Sequence, residues 1–324
     1  MADYDANVPR PAARGPQIGL LTGMVVAVVA LAVAWGVLVL RHSPPAGGPT
    51  VFPEAAEDYA SARQKFKTRL TNWGPAPQAF ADVHAPDDVD EVTFPAGGLT
   101  LRAWLTAEPE VIRVRKPAVL LLHAGFAFGQ EDWGMAVPFE EAGFVVMMPL
   151  LRGENGQEGD YTLFYDEVDD VLAAAEYLAT QPHADPDRLF VAGHGTGGTL
   201  AMLAAMAGGR FQGCASFSGP PDLPAWAADK KELVPFDPAA DDEFRMRSPL
   251  AFPRSFRRPA RLYYGTDETV LKSGSTRLAQ LARLSKPDLV MAEEVPGDPA
   301  GVTAAAVPRA IEFFRGLATN KGVD

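Results

Sequence analysis

Cysteine is nearly absent: Cys214 is the only one in 324 residues. That excludes an internal disulfide and any multi-thiolate metal site. It lies in the apolar run Phe211-Gln212-Gly213-Cys214-Ala215-Ser216-Phe217 and reads as a small buried residue. Histidine is scarce as well. The five are His42, His84, His123, His183 and His194, so the sequence beyond His194 offers no imidazole as a proton acceptor. A cationic surplus is missing too, because 29 Lys and Arg face 41 Asp and Glu for a formal charge of −12. A nucleic-acid partner is therefore not expected, since affinity for a phosphate backbone requires clustered Lys and Arg. There is no internal repeat, and no metal or cofactor is expected.

What is present begins with an uncharged apolar run, Ile18 to Leu40. As a helix it would cover about 34 Å, enough for the hydrocarbon core of a bilayer. Ala32-Val33-Ala34 has the small residues of a signal cleavage site, but the run continues through Trp35, Val37, Leu38, Val39 and Leu40, too long for a secretory segment. An uncleaved single-pass anchor is the expectation. Arg10 and Arg14 before the segment against Arg41 after it place the N-terminus in the cytoplasm and the soluble domain on the outer side. The expected layout is a tail over 1–17, the anchor over 18–40, a linker over 41–52, a helical extension over 53–90 and an α/β domain over 91–320. The linker rests on Ser43-Pro44-Pro45-Ala46-Gly47-Gly48-Pro49-Thr50, which has too many helix breakers and too little apolar surface to pack. The extension rests on Tyr59, Phe66 and Leu70, spaced as one helical stripe between basic residues.

From Glu91 the pattern is that of a sheet. Glu91–Phe94 and Leu99–Leu105, divided by Pro95-Ala96-Gly97-Gly98, predict an antiparallel hairpin. Ala118–Leu122 and Phe144–Met148 are unbroken apolar runs, as in strands covered on both faces. Leu189–Val191, Gly213–Phe217, Arg261–Tyr264 and Leu289–Met291 continue the series. Helical periodicity over 166–178, 199–205, 273–284 and 306–314 alternates with these strands, which predicts a doubly wound, mostly parallel sheet with right-handed crossovers.

Leu189-Phe190-Val191-Ala192-Gly193-His194-Gly195-Thr196-Gly197-Gly198 reads as a strand, a tight turn and the start of a helix. This is the setting of a nucleophile elbow, G-x-S-x-G, with Gly195 in the serine position. The plain alternative is any glycine-rich strand-to-helix turn. An acyl-transfer site also needs a base, a carboxylate to orient it and N–H groups for an oxyanion. The donor loop would be His123-Ala124-Gly125-Phe126, similar to an H-G-G loop with one Ala. The carboxylate candidate is Asp267, with Glu268 second. The loop Val295–Val302, after the last strand, holds no histidine. Without a base, a hydroxyl at Thr196, Ser216 or Ser218 would stay a weak nucleophile. His194 flanks the elbow and is expected to point away from its mouth. Arg152 would bind an anion in the cleft or else fix a loop through Asp or Glu.

Taken together, these segments resemble the α/β-hydrolases of the prolyl oligopeptidase catalytic-domain type, and beyond them dienelactone-hydrolase-like proteins. The marks are His123-Ala124-Gly125-Phe126, Leu151-Arg152-Gly153-Glu154-Asn155-Gly156, the helix from Tyr165, His183-Ala184-Asp185-Pro186-Asp187-Arg188 leading into the elbow, Ser248-Pro249 and Val295-Pro296-Gly297. The resemblance implies an α/β-hydrolase fold over roughly 91–314, with a serine where Gly195 stands, an aspartate where Asp267 stands and a histidine after the last strand. The expected function is a membrane-anchored, catalytically inactive homologue that keeps a cleft for a small acyl or peptide ligand or a protein partner. His123, Ala124, Gly125, Phe126, Arg152, His194 and Thr196 would line that cleft. Two alternatives stay open: an active peptidase or esterase with a non-standard arrangement, and an envelope scaffold using Asp222–Arg247 as a contact surface.

Overall fold

The alternating apolar runs assemble into one eight-stranded sheet in a computed structural model that describes residues 48–297 and 299–319. The strands are β1 (Val89–Ala96), β2 (Leu99–Thr106), β3 (Lys116–Leu122), β4 (Val145–Pro149), β5 (Ala184–His194), β6 (Cys214–Phe217), β7 (Ala260–Gly265) and β8 (Val290–Val295). Their spatial order is β1-β2-β4-β3-β5-β6-β7-β8. β1 and β2 form the expected hairpin, β2 runs antiparallel to β4, and every later pairing is parallel. The helices are α1 (Tyr59–Lys65), α2 (Val137–Glu141), α3 (Glu167–Thr180), α4 (Thr196–Ala207), α5 (Leu223–Ala227), α6 (Asp241–Met246), α7 (Thr269–Arg283) and α8 (Pro299–Thr319). This is an α/β-hydrolase-like sheet.

Side-chain alternation divides the core between the two faces. Ala118, Leu120 and Leu122 of β3 join one buried cluster, while Val119 and Leu121 join the other. Each strand residue is thus covered whichever way it points, which is why these strands read as continuous apolar runs. Cys214 is a buried free thiol, and burial pushes its pKa up.

The described residues from Gly48 onward form one compact unit, so the expected 53–90 extension is built into the domain. Its helix is much shorter than the stripe predicted. Asp58 caps α1 by accepting from the Ser61 N–H at 2.8 Å, and the chain turns extended at Phe66. Tyr59 is fully buried in the core. The segment Asp222–Arg247 packs into the domain as well. Leu223, Ala227, Phe236 and Met246 are buried, and so is Arg247, whose guanidinium donates to Thr162 O, Thr68 Oγ1 and the Glu243 carboxylate. Glu243 in turn accepts from Arg69 N–H and Thr68 Oγ1. The expected tail over 1–17, the transmembrane helix over 18–40 and residues 41–47 of the linker lie outside the described residues. Among the described residues no helix is long and apolar enough to cross a membrane.

Candidate functional site

The elbow forms where β5 meets α4. Gly195 has φ 54° and ψ −119°, a region that glycine enters freely and other residues occupy only under strain. Its N–H donates to Phe217 O at 2.8 Å, fixing the turn to β6. A Cβ added at Gly195 would stand 3.4 Å from Ala124 Cβ, so there is room for a side chain aimed at the loop after β3. The neighbouring glycines have no such room. A Cβ at Gly197 would fall 2.4 Å from both His123 O and Leu122 O, and one at Gly198 would fall 2.7 Å from Ser216 Oγ. Close helix-to-strand approach therefore demands glycine at 197 and 198, whereas 195 has room for a Cβ and lacks one.

The loop after β3 lies against the elbow. Thr196 donates its hydroxyl to Gly125 O at 2.7 Å, so this side chain ties the loop to the helix. His123 is buried and has both ring nitrogens engaged, with Nε2 3.0 Å from Glu154 Oε2 and Nδ1 3.0 Å from Ala124 O. Burial opposes a charge on its ring, but the Glu154 carboxylate beside it outweighs that cost and raises the pKa to about 9. With both ring nitrogens engaged in this way, His123 has no free lone pair to act as a base. Glu154 also accepts from Leu151 N–H at 2.9 Å. Asn155 holds Phe128 by two bonds, one to its N–H at 2.7 Å and one from its own amide to Phe128 O at 2.8 Å. Glu154 and Asn155 thus shape the donor loop. The segment 151–156 marks them in the sequence, although nothing there singles out either as a site residue.

Phe126 sits in an aromatic cover, with ring centroids 5.1 Å from Tyr161, 6.2 Å from Phe164 and 6.4 Å from Trp226. Its N–H points to Gln78 Oε1 at 2.8 Å, a contact no sequence pattern announces. Arg152 takes the second of its two expected roles. Its guanidinium makes a forked pair with Asp170 at 2.9 and 2.6 Å and lies 3.6 Å from Asp166, so it fixes the loop before α3. His194 lines a cavity of about 370 Å³ together with Glu131, Asp132, Met135 and Thr303, on the flank between residues 130–135 and α8.

The two acids after β7 differ from the sequence ranking. Asp267 is exposed, while Glu268 turns inward and accepts from Gly265 N–H at 2.7 Å and from Ser218 Oγ at 2.8 Å. Glu268 thus bridges the end of β7 and the residue after β6, while Asp267 faces solvent. Among the described residues no group of His, Cys, Asp and Glu could hold a metal ion.

The fold has counterparts among known proteins. Residues 132–282 fit the family model of the prolyl oligopeptidase family, Peptidase_S9. The uncharacterized peptidase YtmA of Bacillus subtilis is 27% identical over 210 residues, which is 60% of this chain and 80% of that protein. Among solved structures, a puromycin-hydrolyzing peptidase of Mycobacterium tuberculosis superposes with a TM-score of 0.61 at 22% identity, over 70% of this chain and 39% of its own. An acylaminoacyl peptidase of Pyrococcus horikoshii gives 0.55 at 19% identity, over 70% and 40%. An esterase of Pyrococcus furiosus gives 0.59 at 14% identity, over 78% and 99%. The chain spans only about two-fifths of the length of those two peptidases, but nearly all of the esterase. Residues 132–282, a little under half of the chain, carry the match to the prolyl oligopeptidase family, and the domain has the α/β-hydrolase fold that these peptidases and esterases share.

Proposed function

We propose that this protein is a membrane-tethered member of that group that has lost acyl transfer and binds a peptide or small acyl ligand, or a protein partner, at the elbow cleft. The observation that carries the reading is an elbow with nucleophile geometry and Gly195 at its apex. Position 195 has the backbone angles and the space for a side chain, and the residue supplies none. The missing base supports it further. No histidine follows His194 in the sequence, and the buried His123 is committed at both nitrogens. An activated water would face the same lack of a base. The uncharged run 18–40 would be the tether, with the domain on the outer side of the membrane.

The test is turnover. The full-length protein, incubated with short acyl esters, is expected to release no product above background, and Gly195→Ser alone is expected to restore none, because a serine without a base stays a poor nucleophile. Strong activity of either protein would sink the reading.

One observation favours the alternative of an active enzyme. Ser218 holds φ at +50° and donates its hydroxyl to the Glu268 carboxylate. Backbone strain at a hydroxyl paired with an acid is a pattern found at functional sites. If that pair works, Ser218→Ala abolishes whatever turnover the wild type shows.

A further inference from the structure

The donor loop of the cleft is already occupied, and by this chain. In an elbow site one oxyanion donor comes from the loop after β3, here the loop that carries the Phe126 N–H. That N–H is taken by Gln78 Oε1 at 2.8 Å, and a Cβ added at Gly125 would meet the same oxygen at 2.8 Å.

The segment bearing Gln78 is held as a bound peptide would be. Ala76 N–H donates to Gly153 O at 2.9 Å, and Tyr161 N–H donates to Gly74 O at 2.9 Å. Gly153 is the seat of this contact, since a Cβ there would come within 3.2 Å of both Ala76 N and Tyr161 N. Pro75 and Pro77 have no N–H, so Ala76 carries the one donor between them, and that donor is used. The Gln78 N–H then bonds Ala76 O at 2.8 Å, a tight turn that presents the side chain to the loop. The anchoring is light. Of residues 75–80 only Ala76 is buried, and Trp73 and Phe80 are 68% and 50% exposed on either side. A segment with so little buried surface opens well below the global unfolding free energy.

We propose that Gly74–Gln78 is an autoinhibitory strap bound in cis, its Gln78 carboxamide oxygen holding the Phe126 N–H against a ligand's carbonyl oxygen, so that the strap must open before a ligand binds there. That a ligand competes for this place rests on the cleft being a binding site, as proposed above. The strap itself does not.

Two measurements on the full-length protein separate these. The first is amide hydrogen exchange at Phe126, compared among wild type, Gln78→Ala and Gln78→Glu. Gln78→Ala is expected to exchange about tenfold faster, on the order of one hydrogen bond lost, while Gln78→Glu keeps an acceptor oxygen and stays protected. Equal exchange in all three would overturn the strap. The second is binding of the peptide acetyl-Gly-Pro-Ala-Pro-Gln-Ala-amide, expected to be about tenfold tighter to Gln78→Ala than to wild type. Equal affinity for the two would overturn displacement. Faster exchange at Phe126 with no peptide bound by either protein would leave the strap contact standing and overturn the binding-cleft reading.

Discussion

Gly195 and His123 show how single residues decide what this cleft does. The strain that an elbow stores in its nucleophile is absent here, because glycine carries no Cβ to conflict with φ 54°. Gly195→Ala and Gly195→Ser are both expected to destabilise the fold by about 1–3 kcal/mol through backbone strain, with no steric term because the nearest atom is Ala124 Cβ at 3.4 Å. Urea unfolding of the variants measures this, and an unchanged midpoint would contradict the elbow geometry. For His123 the sign follows from its raised pKa. The folded value, about 9, lies above the ordinary 6.5, so the His123–Glu154 contact contributes its full stability below about pH 6.5 and loses it as pH rises through about 9. Wild type should therefore lose stability between pH 7 and 10 more steeply than His123→Gln. Parallel pH profiles would show that the imidazolium is not held.

Strands, turns and loops differ in how plainly the amino-acid sequence marks them. The parallel strands are legible because burial on both faces leaves an unbroken apolar run, as at Ala118–Leu122. The elbow is legible because Gly193, Gly197 and Gly198 are imposed by contact. Gly197→Ala is expected to destabilise more than Gly195→Ala, since its Cβ would sit 2.4 Å from two main-chain oxygens; the same unfolding series checks the order. Loop acids are not legible in that way. Asp267 and Glu268 are neighbours of like charge, and the choice between them depends on Gly265 N–H and on Ser218, the latter far away in sequence and adjacent only in the fold. Arg152 is open to two roles in the sequence, and the buried Asp170 on the facing turn of α3 selects the structural one. Gln78 leaves no trace, because a polar residue in a proline-flanked segment looks like solvent-facing loop whether or not a cleft lies beneath it.

Across the chain as a whole, one buried cluster joins segments far apart in sequence. Arg247 and Glu243 bind each other and together hold Thr68, Arg69 and Thr162, which ties the segment before β1 and the insertion after β6 to the loop before α3. Arg247→Met should cost about 3–5 kcal/mol, because it leaves the Glu243 carboxylate buried without its partner. In a double-mutant cycle with Glu243→Gln the two losses should fall short of adding. Additive losses would mean that the pair does not act as a unit. The proposed tether makes a separate prediction: the full chain sediments with membranes, and a chain starting at Gly48 does not. Co-sedimentation of both would argue against an anchor in 18–40.

The proposed loss of acyl transfer is the point on which the binding reading turns. Intact-protein mass spectrometry after exposure to a fluorophosphonate, which phosphonylates activated serine hydroxyls, tests it most directly. The account predicts an unshifted mass for the full-length protein. A stoichiometric adduct on the native chain would contradict it.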